Sequence, residues 1–205
     1  MNDLPTNPQP AEELARAVAL IADLLDTALR FPDWPFRAET GCAAIAEFGV
    51  FLSGYFDPVI DALARYYGDT AITFLAVEPG ASYYIDRYGI SPAISVDASA
   101  LPDGYGKALY RRPGEDPFGE MNLSANVFGI TGTSRRWAAW AQRDWEIGVL
   151  LTPDRTGPWR EVGISFLDDT ERMEDFRGPH GWVMPLTLKQ RAVFDENFRT
   201  RGSGS

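Results

Sequence analysis

The chain has 205 residues, of which 45% are hydrophobic and 13% aromatic, which is enough to bury a substantial core. Its formal net charge of −10 argues against nucleic-acid binding, because an acidic surface repels phosphate backbones. With one histidine and one cysteine, the chain can form neither an internal disulfide nor a Cys/His zinc site.

The negative charge is unevenly distributed. Residues 1–132 carry 18 acidic and 8 basic residues, whereas residues 133–205 carry 11 of each. A surface of this kind attracts basic proteins, although solubility alone is a simpler explanation of the acids. No apolar run is long enough to span a bilayer, and the N-terminus does not resemble a signal peptide, so we expect a cytoplasmic protein.

The first part of the chain predicts helices. In residues 10–30, apolar residues recur at spacings of three and four, with charged residues on the opposite face. Two prolines in FPDWPF then interrupt the pattern. Residues 40–67 are apolar on most sides and predict one or two buried helices, with Cys42 among the core residues.

From Ala71 onward the pattern indicates strands. AITFLAV is typical of a central strand, and YYID and AISV are weaker strand predictions. Residues 102–120 contain four glycines and three prolines, which predicts a long irregular connection, either a linker between subdomains or a binding loop.

Four further strand-like runs precede a final helix. They are NVFGIT, RRWAAWAQ, WEIGVLL and EVGISFL, at a spacing typical of hairpins. The final helix is predicted in TLKQRAVFDENF, because Thr187 followed by Gln190 has the capping-box pattern.

The tryptophans of residues 134–151 leave two interpretations open. As strands, this stretch places Trp145 on a core face and Trp137 and Trp140 on opposite faces of their own strand. As a helix capped by Ser134, residues 134–145 would bury Trp137 and Trp145 together. Both interpretations favour a core role, and the alternative is a recognition surface that includes Trp140.

Two further features are candidate functional sites. A cluster of carboxylates in DDTERMED lacks the spacing of an EF-hand and is either a solvated acidic segment, a surface for a basic partner or a metal site. The carboxylates are Asp168, Asp169, Glu171, Glu174 and Asp175. His180, in the loop RGPHGW, is the one residue able to act as an imidazole general base.

The run RRWAAWAQRDWEIGVLL, followed by EVGISFL and a C-terminal helix, resembles the Trp-x-x-Trp, Arg-Asp-x-Glu hairpin of some small bacterial immunity proteins. These proteins bind and neutralise a cognate toxin. The resemblance covers about the last third of the chain, and no catalytic residue carries over from it. It implies an acidic binding protein whose partner is a basic toxin, often a nuclease, in agreement with the charge of residues 1–132.

Together these features predict an α+β fold in which N-terminal helices pack on a mainly antiparallel sheet, with a C-terminal helix. We expect one domain over residues 1–200, with an alternative division near residues 102–120, and a flexible tail or cloning remnant at 201–205. The expected function is non-catalytic binding of a basic protein partner through Trp140 and the carboxylates of residues 168–175, without metal, cofactor, membrane or nucleic acid. The alternatives are a small hydrolase or transferase that uses His180, and an assembly subunit of a phage or secretion system.

Overall fold

The computed structural model describes residues 10–101, 103–111, 115–116, 119–167 and 187–203. Within them a six-stranded antiparallel sheet has the order β1-β6-β5-β4-β2-β3. The strands are β1 (Cys42–Glu47), β2 (Ala71–Glu78), β3 (Ala93–Asp97), β4 (Val127–Gly132), β5 (Ala138–Gln142) and β6 (Ile147–Thr152). The helices are α1 (Pro10–Ala22), α2 (Phe48–Phe51), α3 (Asp57–Tyr67), α4 (Ala81–Tyr88), α5 (Gly104–Leu109), α6 (Met121–Ser124) and α7 (Leu188–Thr200). The predicted α+β class is confirmed.

Both faces of the sheet are covered by helices. One core contains side chains of α2 to α6, and the other contains side chains of α1, α7 and residues 25–36. Because side chains alternate along a strand, β6 contributes Leu150 to the first core and Val149 to the second. The strands therefore consist largely of buried residues, as expected of a sheet covered on both sides.

The first predicted helix is shorter than its apolar pattern. Helix α1 ends at Ala22, and Leu25 then forms an isolated bridge with Phe36. Beyond Ala22, Leu25 is buried and Leu24 half-buried, because residues 25–36 belong to the same core as α1, whereas Ala28 is exposed. The helical spacing of apolar residues therefore continues beyond the end of the helix at Ala22.

The prediction of helix throughout residues 40–67 is wrong for its first part. Residues 42–47 form the strand β1, which pairs with β6 from Cys42↔Thr152 to Glu47↔Ile147. Alanines dominate this segment and favour helix intrinsically, but pairing with β6 and burial on both faces outweigh that preference. Cys42 is buried, as predicted, but on a strand. Helices α2 and α3 confirm the second part.

Two of the strand predictions are also wrong, the weaker one at YYID and the one at EVGISFL. YYID lies in α4, which begins after Gly80 and ends at Gly89, where φ is +65° and a left-handed conformation stops the helix. EVGISFL forms no strand beyond an isolated bridge between Leu167 and Ile45. The other strand predictions are confirmed. Strands β2 to β6 lie, in this order, at AITFLAV, AISV, NVFGIT, RRWAAWAQ and WEIGVLL.

The structure decides between the two interpretations of residues 134–145. They form the β4–β5 connection and β5, and the alternative of a helix capped by Ser134 is wrong. The amide of Ser134 donates a hydrogen bond to the Asp69 carboxylate, which fixes the turn. Of the predicted irregular connection at residues 102–120, the described residues 103–111 include the helix α5, whose Tyr105 and Leu109 are buried in the core beside α3.

The last described residues form α7 and then bind the outer edge of β1. The predicted capping box of α7 is present, with Thr187 accepting a hydrogen bond from the Gln190 amide. Residues 201–203 were expected to be part of a tail, but the carbonyls of Arg201 and Gly202 accept hydrogen bonds from the amides of Gly41 and Ala43. They cover the outer edge of β1.

Candidate binding surface at the β5–β6 turn

Most residues predicted to form a site lie outside the described residues. These are Asp168, Asp169, Glu171, Glu174 and Asp175, together with the alternative catalytic residue His180. Their roles stay predictions. Within the described part of the chain, no group of three or more His, Cys, Asp or Glu residues is arranged to hold a metal ion.

Trp140, the remaining predicted contact residue, is fully buried, with 0% of its surface exposed. It belongs to the core that contains α1, α7 and residues 25–36, and the Arg30 guanidinium lies 5.7 Å from the centre of its ring. An exposed aromatic contact at Trp140 is therefore not present in the structure. The reason is that helices cover both faces of the sheet, so each side of β5 is a core face. Trp137 lies in the opposite core, as strand alternation predicts.

The turn that joins β5 to β6 presents polar residues beside this core. Arg143–Trp145 form one 3-10 turn, and Glu146 follows with φ of +53°, which returns the chain to β6. The Trp145 ring stacks on Phe194 of α7, with ring centres 5.3 Å apart, and anchors the turn in the core. Asp144 is thereby exposed and Glu146 half-buried at the end of the sheet.

Strand pairing brings a third carboxylate to the turn. Glu47, the last residue of β1, is paired with Ile147, and it is exposed. The amide of the next residue, Phe48, donates a hydrogen bond of 2.9 Å to the carbonyl of Glu146. Sequence analysis missed Glu47 because its position beside the turn depends on the pairing of β1 with β6, about 100 residues later in the chain.

Arg143, the basic residue of the turn, is engaged by the protein itself. Its Nη2 donates hydrogen bonds to the carbonyls of Leu123 and Ala125, and its Nε donates to the Asn126 side chain. Its guanidinium also stacks over the Phe48 ring at 4.7 Å. Burial lowers the pKa of the guanidinium, although an arginine remains charged at neutral pH. These contacts use the Nε and Nη2 donors of Arg143 within the protein.

The segment that Arg143 binds also carries an exposed apolar side chain. Leu123, near the end of α6, is 47% exposed, and its carbonyl is bound by Arg143. We use the term turn surface for Glu47, Leu123, Asp144 and Glu146. It combines acidic groups with one apolar contact on rigid elements, which are features of a protein-binding surface.

No family model matches this chain, and comparisons with curated proteins and with solved structures also give no match. In the described ranges, no helix combines the length and the hydrophobicity that crossing a bilayer requires.

Proposed function

We propose that the protein is a non-catalytic binding protein of the immunity type, which occludes a basic protein partner such as a bacterial toxin. The observation that carries the proposal is the turn surface. The Arg-Asp-x-Glu motif there exposes Asp144 and part of Glu146, while Arg143 is held by backbone carbonyls.

Charge complementarity gives this surface a direct role in recognition. Carboxylates on a rigid surface increase the association rate with a basic protein, and the effect weakens as salt screens the charges. Leu123 supplies an apolar contact of the kind that adds affinity once charges have guided the encounter. The proposal also assigns contacts with the basic partner to the carboxylates of residues 168–175.

The test is affinity capture from a lysate of the source organism, at low and at high salt, with mass spectrometry of the retained proteins. The bait is the wild-type chain or a variant that combines Glu47→Gln, Asp144→Asn and Glu146→Gln. We expect the wild type to retain a stoichiometric basic protein that salt releases. The variant should retain at least about tenfold less, because each lost charge pair weakens binding.

A matched control changes the net charge equally at exposed carboxylates elsewhere. It combines Glu12→Gln, Asp33→Asn and Asp97→Asn. Loss of capture by both variants would indicate a general charge effect and contradict a role for the turn surface. Retention of no specific basic protein by the wild type would contradict the proposed function itself.

A further inference from the structure

A pocket of about 120 Å³ lies at the opposite end of β5 and β6 from the turn surface. Its wall is apolar, with Phe36, Ala138 and Leu151 among the lining residues, and Leu24 closes one side. For comparison, an apolar cavity of about 150 Å³ holds benzene. This pocket therefore accommodates a branched apolar group of about four carbons.

Arg136 adds a basic residue to this lining. The residue is exposed. The guanidinium lies 5.9 Å from the centre of the Tyr67 ring, and no carboxylate of the described residues forms an ion pair with it. A cation next to an apolar pocket and without an acidic partner attracts an anionic ligand.

Arg135 adds a second guanidinium to the same lining. The backbone of Arg135 is in the left-handed region, with φ of +57°. Its side-chain Nη1 lies 2.9 Å from the Asp23 carboxylate. Both side chains of this ion pair are about half exposed, so solvent screens the pair and a ligand can compete for Arg135. Thr40, which is exposed, also lines the pocket.

We propose that this pocket binds a carboxylate that carries a branched apolar group of about four carbons. The apolar group fills the space against Phe36 and Leu151, and the carboxylate pairs with Arg136. A free short-chain acid and the C-terminal leucine of a polypeptide share this chemistry. The site is separate from the turn surface and does not depend on the proposed function.

The experiment is a titration of the isotope-labelled full chain, followed by NMR of backbone amides at residues 135–138. The ligands are isovalerate and its neutral amide, and a peptide that ends in Ala-Ala-Leu with either a free or an amidated carboxyl group. We expect saturable shifts with the two carboxylates only. Tighter binding of the peptide acid than of isovalerate would identify a polypeptide C-terminus as the ligand, and equal binding would identify a free acid.

Three variants test whether Arg136 supplies the positive charge that binds the carboxylate. Arg136→Gln should weaken carboxylate binding by about tenfold, and Asp23→Asn should tighten it by releasing Arg135. Arg16→Gln, at an exposed position of α1, changes the net charge by the same amount as Arg136→Gln and should leave binding unchanged. Unchanged spectra elsewhere in each variant establish that it folds.

Equal shifts with isovalerate and its amide would overturn the proposal, as would equal affinities of Arg136→Gln and Arg16→Gln. Absence of saturable shifts with every ligand would also overturn it.

Discussion

The indole Nε1 of Trp137 donates a hydrogen bond of 2.8 Å to the Asp69 carboxylate, which joins the end of α3 to the β4–β5 turn. The same carboxylate accepts a hydrogen bond from the amide of Ser134. Asp69 is 7% exposed and Trp137 is 1% exposed. A Cβ atom on Gly132 would lie 2.1 Å from the Asp69 side chain, so the residue at position 132 must be small for the carboxylate to reach the turn.

Asp69→Asn should lower the free energy of unfolding by about 2 kcal/mol, because an amide offers one acceptor oxygen where the carboxylate offers two. Denaturation with urea measures this change. Asp61→Asn, which breaks an ion pair with the exposed Arg65, is the control and should cost less than about 1 kcal/mol. Equal stability of wild type and Asp69→Asn would contradict a structural role of the carboxylate.

Asp57 predicts a pH dependence of stability. Burial raises the pKa of its carboxyl from 3.8 to about 6, and the amide of Gly106 donates a hydrogen bond to it. Because the folded pKa lies above the unfolded one, folding takes up a proton between about pH 4 and pH 6. The contribution of this carboxyl to stability is therefore greatest below pH 4 and falls as the pH rises to 6.

Asp57→Asn keeps an acceptor oxygen for Gly106 but carries no charge. Between pH 4 and pH 7, its free energy of unfolding should rise by about 1 kcal/mol relative to that of wild type. This is less than the free energy that corresponds to the full pKa shift, because solvent screens the charge. Urea denaturation at several pH values gives both curves. A difference between the two proteins that is constant with pH would show that Asp57 has an ordinary pKa.

The contacts of Arg143 predict that another cation cannot replace it. Lysine keeps the charge but has no planar guanidinium to bind the carbonyls of Leu123 and Ala125 and the Asn126 side chain together while stacking on Phe48. Arg143→Lys should lower the free energy of unfolding by about 1 to 2 kcal/mol. Arg155→Lys, at an exposed position outside these contacts, is the control. Equal denaturation midpoints for both variants would contradict the role of the guanidinium.

The sequence predicted the elements whose patterns are local. Strand alternation placed Trp145, Ile147, Val149 and Leu151 in one core, where all four lie. The capping box of α7 was likewise visible in Thr187 and Gln190. In both cases the residues that determine the structure are neighbours in the chain, so their spacing carries the information.

Elements that depend on distant partners could not be predicted in this way. An alanine-rich segment such as β1 becomes a strand through its pairing with β6, and the turn surface depends on the same pairing to place Glu47 near Asp144. Whether Trp140 is buried or forms a recognition surface could not be decided from the sequence for a related reason. Whether one side of β5 is exposed depends on α1 and residues 25–36, which lie more than 100 residues earlier in the chain.

The last residues of the chain predict a difference between two truncations. The carbonyls of Arg201 and Gly202 bind the amides of Gly41 and Ala43, and Ser203 forms a bridge with Cys42. Ending the chain at Thr200 removes these contacts and uncovers the edge of β1 around Cys42 and Ala43, whereas Ile45 keeps its bridge with Leu167. An uncovered strand edge presents unpaired amides and carbonyls that promote association between chains.

Truncation after Thr200 should therefore lower the free energy of unfolding by about 1 to 3 kcal/mol, the contribution of two backbone hydrogen bonds. It should also increase self-association, measured by light scattering at rising protein concentration. Truncation after Ser203 keeps the contacts and should match the full chain in both measurements. If the two truncated proteins behave alike, residues 201–203 do not contribute to the sheet, and another part of the chain must protect the edge of β1.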